Sequence, residues 1–139
     1  MEIADFLRLT LVQYDISWEK IDENLSRIEG MIQAYNHQTD VIILPESFST
    51  GFSTQAAHLA ESSGEKILYW MKKMARDSCS AICGSVFVGD GSRYFNRFYW
   101  VEPEGKVLFY DKRHIFSLGG EDCIFSPGSQ QLIIDYKGW

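Results

Sequence analysis

VIILPESFSTGFS, residues 41–53, decides how the rest of the chain is read. Its first four residues are apolar without a break, as expected of a strand covered on both faces, and Pro45 ends the run. The remainder is loop chemistry. Open α/β sheets place ligands beyond the carboxyl ends of their strands, which is where Glu46 stands. By residue type alone, however, a single strand-end glutamate reads first as a loop carboxylate capping a nearby turn.

Upstream, LRLTLVQY (7–14) is β-rich and partly alternating, and reads as a buried strand near one end of a sheet. Ser17 is placed to cap a helix of about five turns, in which Ile21, Leu25, Ile28, Ile32 and Tyr35 form one apolar stripe that Gly30 weakens. Downstream, a helix is predicted over 65–77, with Ile67, Leu68, Trp70, Met71 and Met74 on its buried side. SAICGSVFV (80–88) is the next strand; GDGSR is a turn, YFNRFYWV a strand, PEG a tight turn and KVLFYDK its antiparallel return. The order is strand, helix, strand, helix, strand and hairpin: an α/β layered domain with helices covering a largely buried sheet. QLIIDY (131–136) alternates as a further strand whose pairing partner is absent, so the sequence is expected to be the N-terminal part of a longer domain.

The 139 residues, 45% hydrophobic and 14% aromatic, suffice for one core. Thirteen basic against nineteen acidic side chains give a net charge of -6 with no basic stripe, which argues against nucleic acid as a partner. Neither a signal peptide nor an unbroken apolar stretch of membrane-spanning length is legible, and three cysteines suit a reducing cytoplasm better than a disulfide framework. A cytoplasmic protein with no nucleic-acid or membrane partner is expected.

YDKRHIFSLGGEDC (110–123) concentrates titratable residues around a Gly-Gly step that permits close backbone approach. Lys112 alone reads as a surface lysine, and Glu121 as a solvated loop acid. His114, Glu121, Asp122 and Cys123 lack the paired spacing of a tetrahedral zinc site, so no metal is expected. Cys83, within a strand, reads as a small buried hydrophobe.

The order of blocks decides more than any single residue. LPESFSTGF, NRFYWVEPEGKVLFYDKRHIF, GGED, FSPG and YKGW resemble successive motifs of the carbon-nitrogen hydrolases of the nitrilase superfamily, over about residues 7–139. The wording around NRF and FYDKRH is most similar to the omega-amidase branch, whose members deamidate 2-oxoglutaramate and related dicarboxylic monoamides. The resemblance implies the N-terminal portion of an αββα sandwich, within a single carbon-nitrogen hydrolase domain. It also implies no cofactor, a small-molecule amide substrate, and a homodimer or larger homo-oligomer at full length.

By motif position, Glu46 corresponds to the family's general base, Lys112 to its catalytic lysine and Glu121 to its second glutamate. The nucleophilic cysteine of the family lies beyond the G-W dipeptide, where this chain ends at Gly138-Trp139. None of Cys79, Cys83 and Cys123 stands in that context, so the 139-residue segment alone is expected to be inactive. Asn96, Arg113, His114 and Phe116 flank these positions as supporting or packing residues, and Arg113 is a candidate for gripping a substrate carboxylate.

The implied chemistry is acyl transfer through a thioester. Reference carboxyl and thiol values differ by about 4 units, a gap that burial of the acid, a neighbouring acid and a lysine beside the thiol would have to narrow. Two alternatives stand beside it: another superfamily branch, such as a nitrilase or N-carbamoyl amide hydrolase, and a non-catalytic interaction module.

Overall fold

The structure, a computed structural model, describes residues 5–35, 38–53 and 55–139, and all their side chains except those of residues 56 and 61–64. Five strands and two helices follow in the order β1 (Leu9–Leu11), α1 (Ile21–Ala34), β2 (Val41–Ile43), α2 (Ala56–Ser78), β3 (Ala81–Asp90), β4 (Arg93–Val101) and β5 (Val107–Asp111). They form one sheet in sequential order, with β1, β2 and β3 parallel and β4 and β5 antiparallel.

Sequential order has a structural consequence. Two right-handed crossovers that advance in the same direction across a sheet leave both helices on the same face. Ile28 of α1 and Ile67, Met71 and Met74 of α2 accordingly pack with Ile42, Ile82, Val86 and Val101. The opposite face gathers Val41, Ala81, Cys83 and Trp100, partly covered by Leu108, Ile134 and Tyr136. The helices therefore cover one face of the sheet rather than both. VIIL behaves as its composition requires, since Val41 and Ile42 point into different clusters and both are buried.

Several sequence expectations are corrected. LRLTLVQY forms an edge strand as expected, but Leu9 and Leu11 are 52% and 73% exposed, so one side of β1 is not buried. Ser17 is not the helix cap: Lys20 occupies that place without a side-chain cap, and α1 has 14 residues, nearer four turns than five. The hydrogen-bonding role passes to Asn24, fully buried, whose side chain joins Ser17 N–H (2.9 Å) and the carbonyls of Ser17 (2.7 Å) and Ser49 (2.9 Å). A polar residue inside a helix was invisible as a tether because its partners lie in two loops. Helix α2 begins at Ala56, well before the predicted start at 65. QLIIDY is not a ladder strand; its residues alternate in exposure, and Ile134 and Tyr136 rest on the sheet while Ile133 faces solvent. Among the described residues no strand pairs with it.

The hairpin is as the sequence predicts. Gly91 and Ser92 form the first turn, and Gly105 N–H donates to Glu102 O (2.9 Å) in the second. Arg97 of β4 grips Asp111 of β5 through Nε (2.7 Å) and Nη2 (2.9 Å), with its guanidinium 4.2 Å from the Phe109 ring centroid.

Cys83 lies in the middle of the sheet, and burial pushes its thiol up to about 12. It is therefore a protonated, poor nucleophile near neutral pH, whereas Cys79 and Cys123 are exposed. Alkylation of the native protein near neutral pH should label Cys79 and Cys123 and reach Cys83 only in denaturant. Equal labelling of all three by peptide mass mapping would contradict this burial.

Candidate active site

Glu46 leaves β2 on a loop pinned from beneath. The fully buried Phe48 sits 5.9 Å from Trp70, centroid to centroid, and Tyr14 Oη donates to the Phe48 carbonyl. Ser47, beside Glu46, has φ +50° and donates its N–H to Ser85 Oγ (2.9 Å). A non-glycine residue in the left-handed region costs on the order of 1 kcal/mol and persists only where its surroundings fix it. Phe48 and Ser85 supply that fixing, and the result is a carboxylate thrown out over the end of the sheet.

Lys112 follows β5 directly. Its N–H donates to Asn96 O on β4 (3.0 Å), and its carbonyl accepts from Gly128 N–H (3.0 Å) in the FSPG block. Gly128 is required by close approach, since a Cβ there would stand 2.1 Å from Asp111 O. The FSPG block is held in turn by Phe125, whose ring lies 4.7 Å from that of Phe87.

Glu121 comes from the Gly-Gly step. Gly120, at φ +76°, separates two short 3₁₀ turns, Ser117–Gly119 and Glu121–Cys123, a reversal that favours glycine. The turn delivers Glu121 inward. Its side chain is 1% exposed, and Oε2 accepts from Phe116 N–H (2.6 Å). The solvated-acid reading of this residue is thereby overturned.

The three residues meet at one point. Lys112 Nζ is 2.9 Å from Glu46 Oε1 and 3.0 Å from Glu121 Oε1. Asn96 Nδ2 donates to the same Glu46 Oε1 at 2.7 Å. Burial draws the Lys112 ammonium down, but its hydrogen bonds to Glu46 and Glu121 outweigh this and hold it above its ordinary value. The ammonium's contribution to stability is thus complete below about 10.5 and is lost only as the pH rises through the higher folded value.

The two acids differ in environment. Glu46 is 60% exposed and Lys112 27%, so their mutual bridge contributes about 0–1 kcal/mol. Removing the cation from buried Glu121 leaves an uncompensated carboxyl group, a loss of the order of 3 kcal/mol. Glu121 therefore holds Lys112, and Glu46 is the less constrained partner.

Two clefts open beside the cluster. One, of about 330 Å³, is bounded by Glu46, Ser85, Asn96, Tyr110 and Lys112; the other, of about 580 Å³, by Glu46, Phe52, Lys112, His114 and Glu121. No cysteine lines either one. Arg113 does not line them, and instead borders a third cleft of about 660 Å³ with Tyr110, His114 and residues of the 131–134 segment. Cys123 is exposed in the second 3₁₀ turn. Among the described residues there is no group of three or more His, Cys, Asp or Glu placed to hold a metal ion, nor a helix long and apolar enough to cross a membrane.

A mixed α/β sheet carries, at one end, a strand-end acid and lysine joined to a second acid from a 3₁₀ turn. Residues 8–135 match the sequence profile described as Carbon-nitrogen hydrolase, and the chain belongs to that family. It is 35% identical to the omega-amidase YafV of Yersinia enterocolitica over 96% of its length, and 32% identical to the 2-oxoglutaramate amidase of Bacillus subtilis over 94%. It spans about half the length of these relatives, 51% of each. A CN-hydrolase superfamily protein of Xanthomonas campestris, solved with an arsenic adduct in its active site, superimposes with a TM-score of 0.89 at 35% identity, over 96% of this chain and 50% of that one. An amidase from Nesterenkonia shares the fold, with a TM-score of 0.83 at 21% identity over 95% and 52% of the two chains. The architecture is that of the nitrilase superfamily.

Stability should divide as burial does. Lys112→Met is expected to lower unfolding free energy by about 3 kcal/mol and Glu46→Gln by under about 1 kcal/mol in urea titrations. Equal losses would contradict the assignment of Glu121 as the anchor. Gly128→Ala, which drives a methyl group into Asp111 O, should cost about 1–3 kcal/mol, and an unchanged midpoint would refute the close approach.

Proposed function

We propose that this chain is the N-terminal part of an amidase that hydrolyses small carboxylated monoamides of the 2-oxoglutaramate kind and releases ammonia. The supporting observation is the convergence of Glu46, Lys112 and Glu121, from three separate segments, on one ammonium within 3.0 Å. The omega-amidase and 2-oxoglutaramate amidase relatives support the substrate class, at 35% and 32% identity against 27% for a nitrilase of Pyrococcus abyssi.

In this reading a cysteine carried beyond Trp139 supplies the thiol. Its sulfur attacks the amide carbonyl and its proton passes to Glu46, while the Lys112 ammonium stabilises the tetrahedral oxyanion. The oxyanion collapses, the C–N bond breaks, and Glu46 returns the proton to the departing ammonia. Water then adds to the thioester with Glu46 again as base, the S–C bond breaks, and the thiol regains its proton as the carboxylic acid leaves. Glu121 keeps the ammonium in place, and the neighbouring cleft bordered by Arg113 is where a substrate carboxylate would be met. The protein is cytoplasmic and assembles as a homodimer or larger homo-oligomer in this reading.

The coding sequence downstream of Trp139 tests the first step. A cysteine codon within roughly ten positions, the reach of one short strand, is expected; an immediate stop codon would sink the proposal. In the enzyme expressed from the complete reading frame, Glu46→Gln should reduce ammonia release from 2-oxoglutaramate by at least about 100-fold with an unchanged circular dichroism spectrum. Retained turnover would remove Glu46 from the role of base.

A further inference from the structure

Glu46 Oε1 accepts two hydrogen bonds, from Asn96 Nδ2 at 2.7 Å and from Lys112 Nζ at 2.9 Å. A carboxylate oxygen has two lone pairs, so this oxygen is fully engaged. Oε2 has no partner among the described residues and carries the open lone pairs. The two donors are not equivalent. Lys112 is shared with Glu121 at 3.0 Å and is the cation that would turn toward a developing oxyanion. Asn96 is neutral, 2% exposed and fixed in β4, where its carbonyl also accepts Lys112 N–H.

The orientation of the amide follows from chemistry. An ionised carboxylate only accepts, so the donor end of Asn96 must face it. Among the described residues Asn96 Oδ1 is buried without a hydrogen-bond partner, an unfavourable state for a polar atom. Asparagine tolerates that cost here while directing an amide N–H to Glu46 Oε1. A residue needed only to fill β4 would be apolar, as its paired neighbour Phe87 is.

We infer that Asn96 is the positioning residue for Glu46, holding Oε1 so that Oε2 is the atom that takes and returns the proton. This rests on Glu46 being the base. The arrangement separates two tasks on one carboxylate: Oε1 is tethered by a group that cannot titrate, and Oε2 remains available. With 60% of its side chain exposed and only a weak bridge to Lys112, Glu46 otherwise has little to keep its rotamer.

The test uses the protein expressed from its complete reading frame, with Asn96→Asp, which keeps shape but removes the donor, and Asn96→Leu, which removes both polar atoms. For each folded variant, kcat for ammonia release from 2-oxoglutaramate should fall about 100-fold, with KM changing far less. Crystal structures should show the Glu46 carboxylate turned from its position on Lys112. Full kcat in a folded variant, or a carboxylate still seated through one oxygen on Lys112, would overturn the inference. If Glu46→Gln stays active, the proposed chemistry fails, and the carboxylate position in the variant structures still decides the role of Asn96. If Glu46→Gln is inactive while the Asn96 variants keep full kcat, only the positioning role fails. Should Asn96→Leu not fold, the nearly isosteric Asn96→Asp carries both readouts.

Discussion

A carboxyl group removed from water is costly unless a cation and hydrogen-bond donors replace the lost hydration, and Glu121 receives both. Lys112 Nζ stands 3.0 Å from it, and Phe116 N–H donates to it at 2.6 Å. Much of the local architecture serves this contact. Gly120 reverses the chain so that Glu121 points inward, and Gly128 N–H holds the Lys112 carbonyl from the other side. The Phe87 and Phe125 rings, in tilted contact at 4.7 Å, fasten the loop between these points to β3. The β4–β5 register brings Arg97 onto Asp111, immediately before Lys112, so that the lysine leaves the sheet from a fixed strand end.

The same economy of placement governs the fold. Because β1, β2 and β3 lie in sequential order, both crossover helices fall on one face, and the loops after the strands collect at one end of the sheet. Glu46 arrives there from β2 and Lys112 from β5, with β3 and β4 between them. Asn96 lies on one of the two intervening strands and bonds to both, through its side chain to Glu46 and its backbone to Lys112. The opposite face, with Trp100 and Cys83 at its centre, is overlaid by Ile134 and Tyr136 of the C-terminal segment. Lys137 bonds to Asp40 at the start of β2, tying that segment down, and this bond, with the Arg8 N–H beside it, holds the Asp40 carboxyl below its usual range.

Legibility in the sequence followed interaction range. VIIL, the hairpin turns and most of the helix stripes announce themselves because periodicity and turn chemistry are local, although Tyr35 lies past the end of α1 and is exposed. Glu46 was marked by position and Lys112 by the motif around it, and the fold brings them together. What composition could not convey was environment. Glu121, surrounded in sequence by glycine and aspartate, reads as solvated, yet its burial depends on a backbone donor five residues earlier and a lysine nine residues earlier. Asn24 and Asn96 were similarly silent, since an asparagine's meaning lies in the loop or carboxylate its amide reaches. Ser17 shows the reverse error: a residue of the right type in the right place for a cap, engaged instead by Asn24. QLIIDY has the alternation of a strand and the packing of one, but a ladder requires a neighbour that period alone does not provide.

The contrast between the two glutamates bears on how a single lysine can be firmly held and still reach an exposed carboxylate. A lysine paired only with an exposed acid would be weakly held, because solvent screens the bridge and its long side chain loses entropy on fixing. A lysine paired only with a buried acid would be rigid but would have no accessible carboxylate beside it. Lys112 sits between one acid of each kind, anchored from below by Glu121 and touching Glu46 at the rim of two clefts. The buried contact thus fixes the ammonium without consuming the exposed carboxylate. What remains to be held is Glu46 itself, and the neutral amide of Asn96 does so at 2.7 Å without adding a further charge beside the carboxylate.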